Sequence, residues 1–377
     1  RQEVLDGVYH FAPETDRNWL RVRARAGGSA TAGDHRFKLL FTNEFRRYFT
    51  PDDIDFDWNE LILDQAWWDW TLAENHRLTL GRQNIIWNKG FLMLEGHPLD
   101  GSRSIYHNAV RYRWSGLDVA FIHNPKYDPI VIAGDMDRPL TDSDETAVAV
   151  RYNRGPGTWS LIWKDEVDPD EVLPDRRALT VAARTDRPLG EDGAWMLEAA
   201  VQVPDVSGDE QALGEVIVFA MQVHAEVPLG RSWRGYLGFF SYGGDEPGGK
   251  WAFRSPWGRW PKWSELYIYT LIGESTPGRV HVAAWENVLA PYLEFKRPLG
   301  DRYSLLLNAT WLAAPEPDWA TRGLLTRAEL KVDILEGLKG HLLWEMLVPG
   351  SFHDGRYGLP PLTDTVHFLR WQLAYTL

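Results

Sequence analysis

Arg21, Arg23 and Arg25 stand at alternate positions of Trp19-Leu20-Arg21-Val22-Arg23-Ala24-Arg25-Ala26, with only apolar residues between them. Guanidinium groups stay charged and grip carboxylates or phosphates through a planar fork, so a row of them points to an anionic solute. The other clustered chemistry is acidic. Asp52, Asp53, Asp55 and Asp57 crowd one short stretch, with further groups at 135–145 and 165–175. Carboxylate oxygens suit Ca²⁺, but these lack the spacing and the glycine of an EF-hand loop. Solvated loops are the simpler reading, with Ca²⁺ at Asp52, Asp53, Asp55 and Asp57 the weaker expectation. No other cofactor is expected.

Catalytic patterns are missing. There is no Gly-x-Ser-x-Gly, no His-Glu-x-x-His and no phosphate loop, and the eleven histidines are scattered. The chain is therefore expected not to be an enzyme. A net charge of −13 argues against nucleic acid as a partner. With no cysteine, disulfides and thiolate metal sites drop out. The chain opens on Arg1-Gln2-Glu3, which a processed form and a chain without a leader would both show.

The elements that must carry the arginines are strands. Side chains in a strand alternate between two faces, so Leu20, Val22, Ala24 and Ala26 share the face opposite the arginines. Eighteen such segments can be laid out: 2–10, 17–27, 35–48, 60–72, 76–87, 105–115, 117–124, 145–153, 157–165, 176–187, 193–203, 214–227, 231–243, 281–297, 301–313, 322–335, 339–348 and 364–377. Their connections alternate between long and short. Three tight turns share one sequence, Pro188-Leu189-Gly190, Pro228-Leu229-Gly230 and Pro298-Leu299-Gly300, where Pro and Gly supply the φ values that a turn requires.

Segments of about ten alternating residues with long loops on one side and short turns on the other are the signature of a transmembrane β-barrel. Twenty tryptophans fit the aromatic girdles of such a barrel, and no run of 18 apolar residues offers a helical span. The expectation is an all-β fold: one antiparallel transmembrane barrel over residues 1–377, with about 18 strands and sixteen as the alternative. Short turns and both termini face the periplasm, and 244–280 is a long loop, outside or folded into the lumen. A soluble sandwich or propeller fits the tryptophan content and the loop rhythm less well.

Strand parity then puts Arg21, Arg23, Arg25, Lys38, Arg46, Arg111, Arg113, Arg151, Arg184, Arg234 and Arg370 inside, with Arg327 and Lys331. Rings of Arg or Lys are what anion pores use. About half of these cations are expected to pair with lumen acids such as Glu44, Asp69, Glu198 and Glu345, because opposite charges on neighbouring strands attract. Arg327, Glu329, Lys331 and Asp333 alternate in sign and suit such pairing. Arg21, Arg23 and Arg25 have no acid between them and are expected to keep an attractive field, as are Arg111 and Arg113.

Several stretches resemble the alginate-export family of outer-membrane porins. They are Gln65-Ala66-Trp67-Trp68-Asp69 with Leu78-Thr79-Leu80-Gly81-Arg82-Gln83, then Val348-Pro349-Gly350-Ser351-Phe352, and His367-Phe368-Leu369-Arg370-Trp371-Gln372-Leu373-Ala374-Tyr375. The resemblance implies a monomeric barrel in the outer membrane of a Gram-negative bacterium, among lipid and lipopolysaccharide. It also implies passage or export of an anionic solute, an exopolysaccharide such as alginate included, and a lumen position for Arg82, which parity alone leaves ambiguous. The alternative is a barrel that anchors or sheathes a partner protein, such as a surface assembly or an electron carrier.

Overall fold

The computed structural model describes residues 1–6, 17–50, 58–94, 107–127, 130–134, 141, 143–171, 174–206, 216–230, 232–244, 252–257, 264, 266, 287–316, 318–354 and 363–376. Its strands are β1 (Gln2–Asp6), β2 (Arg17–Ala32), β3 (His35–Thr50), β4 (Trp58–Ala73), β5 (His76–Gln83), β6 (His107–Trp114), β7 (Leu117–Asn124), β8 (Val131–Ala133), β9 (Asp144–Arg154) and β10 (Gly157–Val167). They continue as β11 (Arg176–Leu189), β12 (Gly193–Val206), β13 (Val218–Leu229), β14 (Trp233–Tyr242), β15 (Val288–Leu299), β16 (Tyr303–Ala314), β17 (Ala320–Leu335), β18 (Leu338–Pro349) and β19 (Val366–Tyr375).

Each strand pairs antiparallel with the next, except that β7 pairs with β9 and the three-residue β8 lies beside β4. The ring closes where β1 pairs with both β19 and β2. Eighteen strands therefore form a closed antiparallel barrel, as the spacing predicts. Closure pairs the backbone groups that would otherwise sit bare in hydrocarbon. The three Pro-Leu-Gly turns lie at the same end, with Gly190, Gly230 and Gly300 at φ +67°, +70° and +72°. A side chain in that left-handed region is strained, which explains glycine at all three.

The outer face is apolar. Val22, Leu39, Phe219 and Leu237 are 50–62% exposed, on strands whose alternate residues are buried inside. Apolar area costs about 25 cal/mol per Å² in water, so this belt belongs in lipid. No helix among the described residues is long and apolar enough to cross a membrane, so the strands do the crossing.

Two departures from the sequence reading matter for function. The strand expected over 76–87 ends at Gln83, where the chain leaves the wall and turns inward. The inner face is also not uniformly polar. Ala120, Ile122, Ala147, Ala149, Ile162, Ala182 and Ala200 point inside and are buried, joined in one cluster with Ile85, Trp87, Phe91, Leu92, Met93, Phe253 and Trp257. Small inward residues leave room for chain packed against them, and this packing makes a dry core within the barrel.

Candidate functional site: an arginine wall beside an inward strap

Residues 84–94 and 252–257 form the strap. Trp257 and Met93 make a parallel bridge, and the Trp257 N–H donates to the Leu92 carbonyl at 3.0 Å. The Ser255 hydroxyl donates to the Phe91 carbonyl at 2.5 Å. The first segment reaches far from its strand. Trp87 Nε1 donates to Asp118 at 3.1 Å, and Asn88 Nδ2 donates to Glu198 of β12 at 3.0 Å.

The second segment is bolted to the wall of β9–β12. Lys164 Nζ contacts Glu145 at 2.7 Å and Glu166 at 2.9 Å, donates to the Pro256 carbonyl at 2.9 Å, and lies 4.8 Å from the Trp257 ring centre. Trp257 Nε1 donates to Glu145 at 2.8 Å. Gln202 exchanges two bonds with the Arg254 backbone. Further on, Ser264 and the Leu266 N–H both bind Glu345 of β18. The described part of the long 244–280 loop thus folds into the barrel, one of its two expected positions; its remaining residues lie outside the described set.

Beside the strap, and touched by its Trp87 at Asp118 and Arg151, stands the arginine wall, on β2–β7 with Arg151 of β9. Alternation along β2 aims Arg21, Arg23 and Arg25 inward, as expected, but their acids come from other strands. Glu44 receives Arg21 at 2.9 Å, Arg23 at 2.6 Å and Arg46 at 3.2 Å. Arg25 sits 3.3 Å from Asp64 Oδ2, the oxygen that also accepts from the Thr42 hydroxyl at 2.6 Å. Arg77 and Arg113 share Asp69, and Arg111 and Arg151 share Asp118. The three β2 arginines are therefore paired across strands despite having no acid between them. Among the described residues, eight arginines meet four carboxylates at these distances. Buried Glu60 adds one acid to this wall. Lys38 also faces the lumen, between Ser29 and Trp67 on the neighbouring strands, with no ion pair among the described residues.

The remaining sequence-derived positions lie elsewhere. Arg184 bridges Glu198 and Asp186, and Arg234 binds Glu226 near the tight turns. Arg370 donates to His341 and approaches Glu3 at 3.7 Å. Arg82 is 2% exposed and donates to the Leu63 carbonyl and to Asn108, so it braces the wall from within rather than offering its charge to the lumen. Its ladder partners Ala66 and Asn108 lie on the row whose next members, Leu80 and Val110, face outward. Asp52, Asp53, Asp55 and Asp57 fall outside the described residues. Among the described ones no group of three or more His, Asp or Glu could hold a metal ion.

In the third acidic cluster, Lys126 ties Asp168 at 2.5 Å and Asp170 at 2.7 Å, and Tyr127 donates to Asp170. Burial by itself pushes the Lys126 ammonium down, but the bonds to Asp168 and Asp170 outweigh it and hold the group above its ordinary value. Hydrogen bonds from Lys126 and Tyr127 hold Asp170 below the usual carboxylate range. Sequence reading missed Asp64, Asp118, Arg36, Arg77, Lys164 and Arg176 as inner-wall groups. Parity signals Arg77 and Asp118 within their strands, and a bulge between Leu40 and Phe41 hides the inward turn of Asp64.

No family model matches the sequence, and no curated protein sequence matches it. Solved structures do. The chain matches Acinetobacter baumannii OccAB2 with a TM-score of 0.60 at 11% identity, over 100% of this chain and 95% of that one. It matches the Pseudomonas aeruginosa outer membrane protein OpdK at 0.60 and 12%, over 100% and 96%. Pseudomonas aeruginosa OccK2 (OpdF), solved in complex with glucuronate, gives 0.60 and 13%, over 100% and 94%. The fold is that of an outer-membrane porin. The resemblance to the alginate-export porins finds no support in these comparisons; the broader porin class does.

Proposed function

We propose that the chain is an outer-membrane channel through which small anionic solutes, carboxylates foremost, pass by diffusion along the arginine wall. The observation that carries this reading is the shortage of acids among the described residues: on one side of the lumen eight arginines meet four carboxylates at ion-pair distance, with buried Glu60 a fifth acid. Uncompensated guanidinium charge in a narrow, low-dielectric passage raises the local concentration of anions. A neighbour in fold, OccK2, was solved with glucuronate, a carboxylate of this kind. The strap occupies part of the inner wall, which favours a small solute over a polymer such as alginate.

The test is the reversal potential of the purified barrel in a planar bilayer under a KCl gradient. Chloride preference is expected, and preference for potassium would overturn the proposal. Each barrel conducts by itself, with lipid and lipopolysaccharide around its apolar belt.

A further inference from the structure

On the outer face, at the tight-turn end, stand Arg154, Arg187 and Arg297. Alternation fixes their direction. Arg187 shares a face with the exposed Leu179 and Val181 of β11, Arg297 with Leu293 and Phe295 of β15, and Arg154 with Val148 and Tyr152 of β9. Each has a tryptophan beside it on a neighbouring strand. Arg187 stands opposite Trp195 in register. The Arg297 guanidinium lies 5.3 Å from the Trp233 ring centre. Arg154 stands opposite Gly157, where a Cβ would come within 4.0 Å of Trp159 Nε1, so the bare glycine leaves guanidinium and indole on one patch.

These arginines lack what most cations of the barrel have. Among the described residues none of the three holds an ion pair. The acids of the neighbouring strand ends, Asp186, Glu226 and Glu294, point inward to Arg184, Arg234 and Lys296. Arg177, outward at the loop end of β11, has an acid on its own face, Asp165 at 3.0 Å. The tryptophans are likewise unspent. Trp68, Trp311 and Trp371 of the outer face donate their indole N–H to His35, Thr321 and Gln2, whereas no described residue accepts from Trp159, Trp195 or Trp233.

In a porin the tight turns lie at the periplasmic leaflet, so the outer face here meets lipid headgroups. A guanidinium grips a phosphate through its planar fork, and an indole at headgroup depth can donate its N–H. We propose that the three Arg–Trp pairs are docking sites for anionic phospholipid headgroups, each pair holding one phosphodiester. The partner is a lipid of net negative charge, because a zwitterionic headgroup brings its own ammonium to the phosphate. The sites lie on the opposite side of the wall from the lumen arginines, so the proposal goes beyond the channel reading and stands or falls apart from it.

The test is native mass spectrometry of the barrel released from nanodiscs of equal phosphatidylglycerol and phosphatidylethanolamine. Retained phosphatidylglycerol is expected to exceed phosphatidylethanolamine by about fivefold, the factor for one basic group near an anionic surface. Arg154→Gln, Arg187→Gln and Arg297→Gln together should abolish the excess, while Arg177→Gln leaves it unchanged. Arg187 holds no hydrogen bond or ion pair among the described residues, so Arg187→Gln alone keeps the test alive if the triple variant does not fold. That single variant should lose about one retained phosphatidylglycerol per barrel. Equal retention of the two lipids by the unmodified barrel overturns the proposal. So does an excess that survives in the triple variant, an unchanged count in Arg187→Gln, or an equal loss in Arg177→Gln.

Discussion

Among the described residues, eight arginines on β2–β7 and at Arg151 share four carboxylates at ion-pair distance, whereas from Glu145 round to β18 nine cations meet ten carboxylates. Both sides are built from the same antiparallel ladder, with the same alternation. They differ in stoichiometry and in what covers them. On the acid-rich side each of those nine cations has at least one acid, and the strap is fastened there through Lys164, Arg176 and Gln202. On the arginine-rich side each acid is a hub, and the surplus charge stays with the lumen. Opposite charges hold strap to wall in one place; excess of one charge leaves a surface that mobile ions can feel in the other. Net charge does not predict this, because the chain as a whole is at −13 and carries much of its acid in connections such as 165–175.

Lys164→Met is the strongest way to break the contrast. It removes the cation between Glu145 and Glu166 and frees the Pro256 carbonyl. Stranding one partner of a buried pair costs about 3–5 kcal/mol. The heat-modifiable band on gels should melt at lower temperature, and single-channel conductance should rise as the strap loosens. Unchanged melting and conductance would show that the strap is held by its apolar contacts alone.

Next comes Glu44→Gln, which leaves Arg21, Arg23 and Arg46 without their common anion. A loss of about 1–3 kcal/mol is expected, with chloride preference increased. The matched change on the other side, Glu294→Gln, breaks one ion pair, with Lys296, and should move both measurements less. If the two variants behave alike, the stoichiometric difference has no functional weight.

Replacing Arg21, Arg23 and Arg25 together by Ser sharpens the comparison from the other direction. The chloride-to-potassium permeability ratio should fall by about twofold or more. An unaltered reversal potential would mean that Glu44 and Asp64 already neutralise these groups completely.

The smallest effect belongs to the tie between Lys126, Asp168 and Asp170 in the connections. Asp170 is held below the carboxylate range by its bonds from Lys126 and Tyr127, so its contribution is present above the unfolded value and is lost as pH falls through the lower folded one. Lys126 is held high, so its share persists at neutral pH and disappears only in strong alkali. Hydrogen-exchange protection near residues 126–127 and 168–171, corrected for the intrinsic pH dependence of amide exchange, should match at pH 7 and pH 5 and fall below about pH 4. A fall already at pH 5 would show that the tie is not carried by these carboxylates.

Much of the wall was legible in the sequence because lipid imposes a strict rule on one face. Val22 and Phe219 can face only hydrocarbon, so the arginines and Gln222 that alternate with them must face in. The Pro-Leu-Gly turns fixed sidedness for the same local reason. What alternation cannot reveal is the partner across a ladder. Arg23 stands opposite Glu44 because β2 and β3 pair in one register, and Arg113 reaches Asp69 across two strands. A bulge turned Asp64 inward, and inward Ala147 and Ala149 reveal their role only once Trp257 and Met93 are seen in the same cluster. The strap combines two segments that share no pattern, each made meaningful by the other.

That pairing has a consequence for how the chain reaches its final form. Ser255 and Phe91 are 164 positions apart, and the segments that carry them bond β7, β9–β12 and β18 as well as each other. Contacts so distant along the chain are slow to form, and these have nothing to rest on until β7 and β9–β12 are paired. A water-soluble domain gathers its centre early and dresses its surface afterwards. In this molecule the order runs the other way: the envelope is laid first and the middle is filled last. Until then the chain has two greasy sides, one turned to the bilayer and one to its own hollow interior.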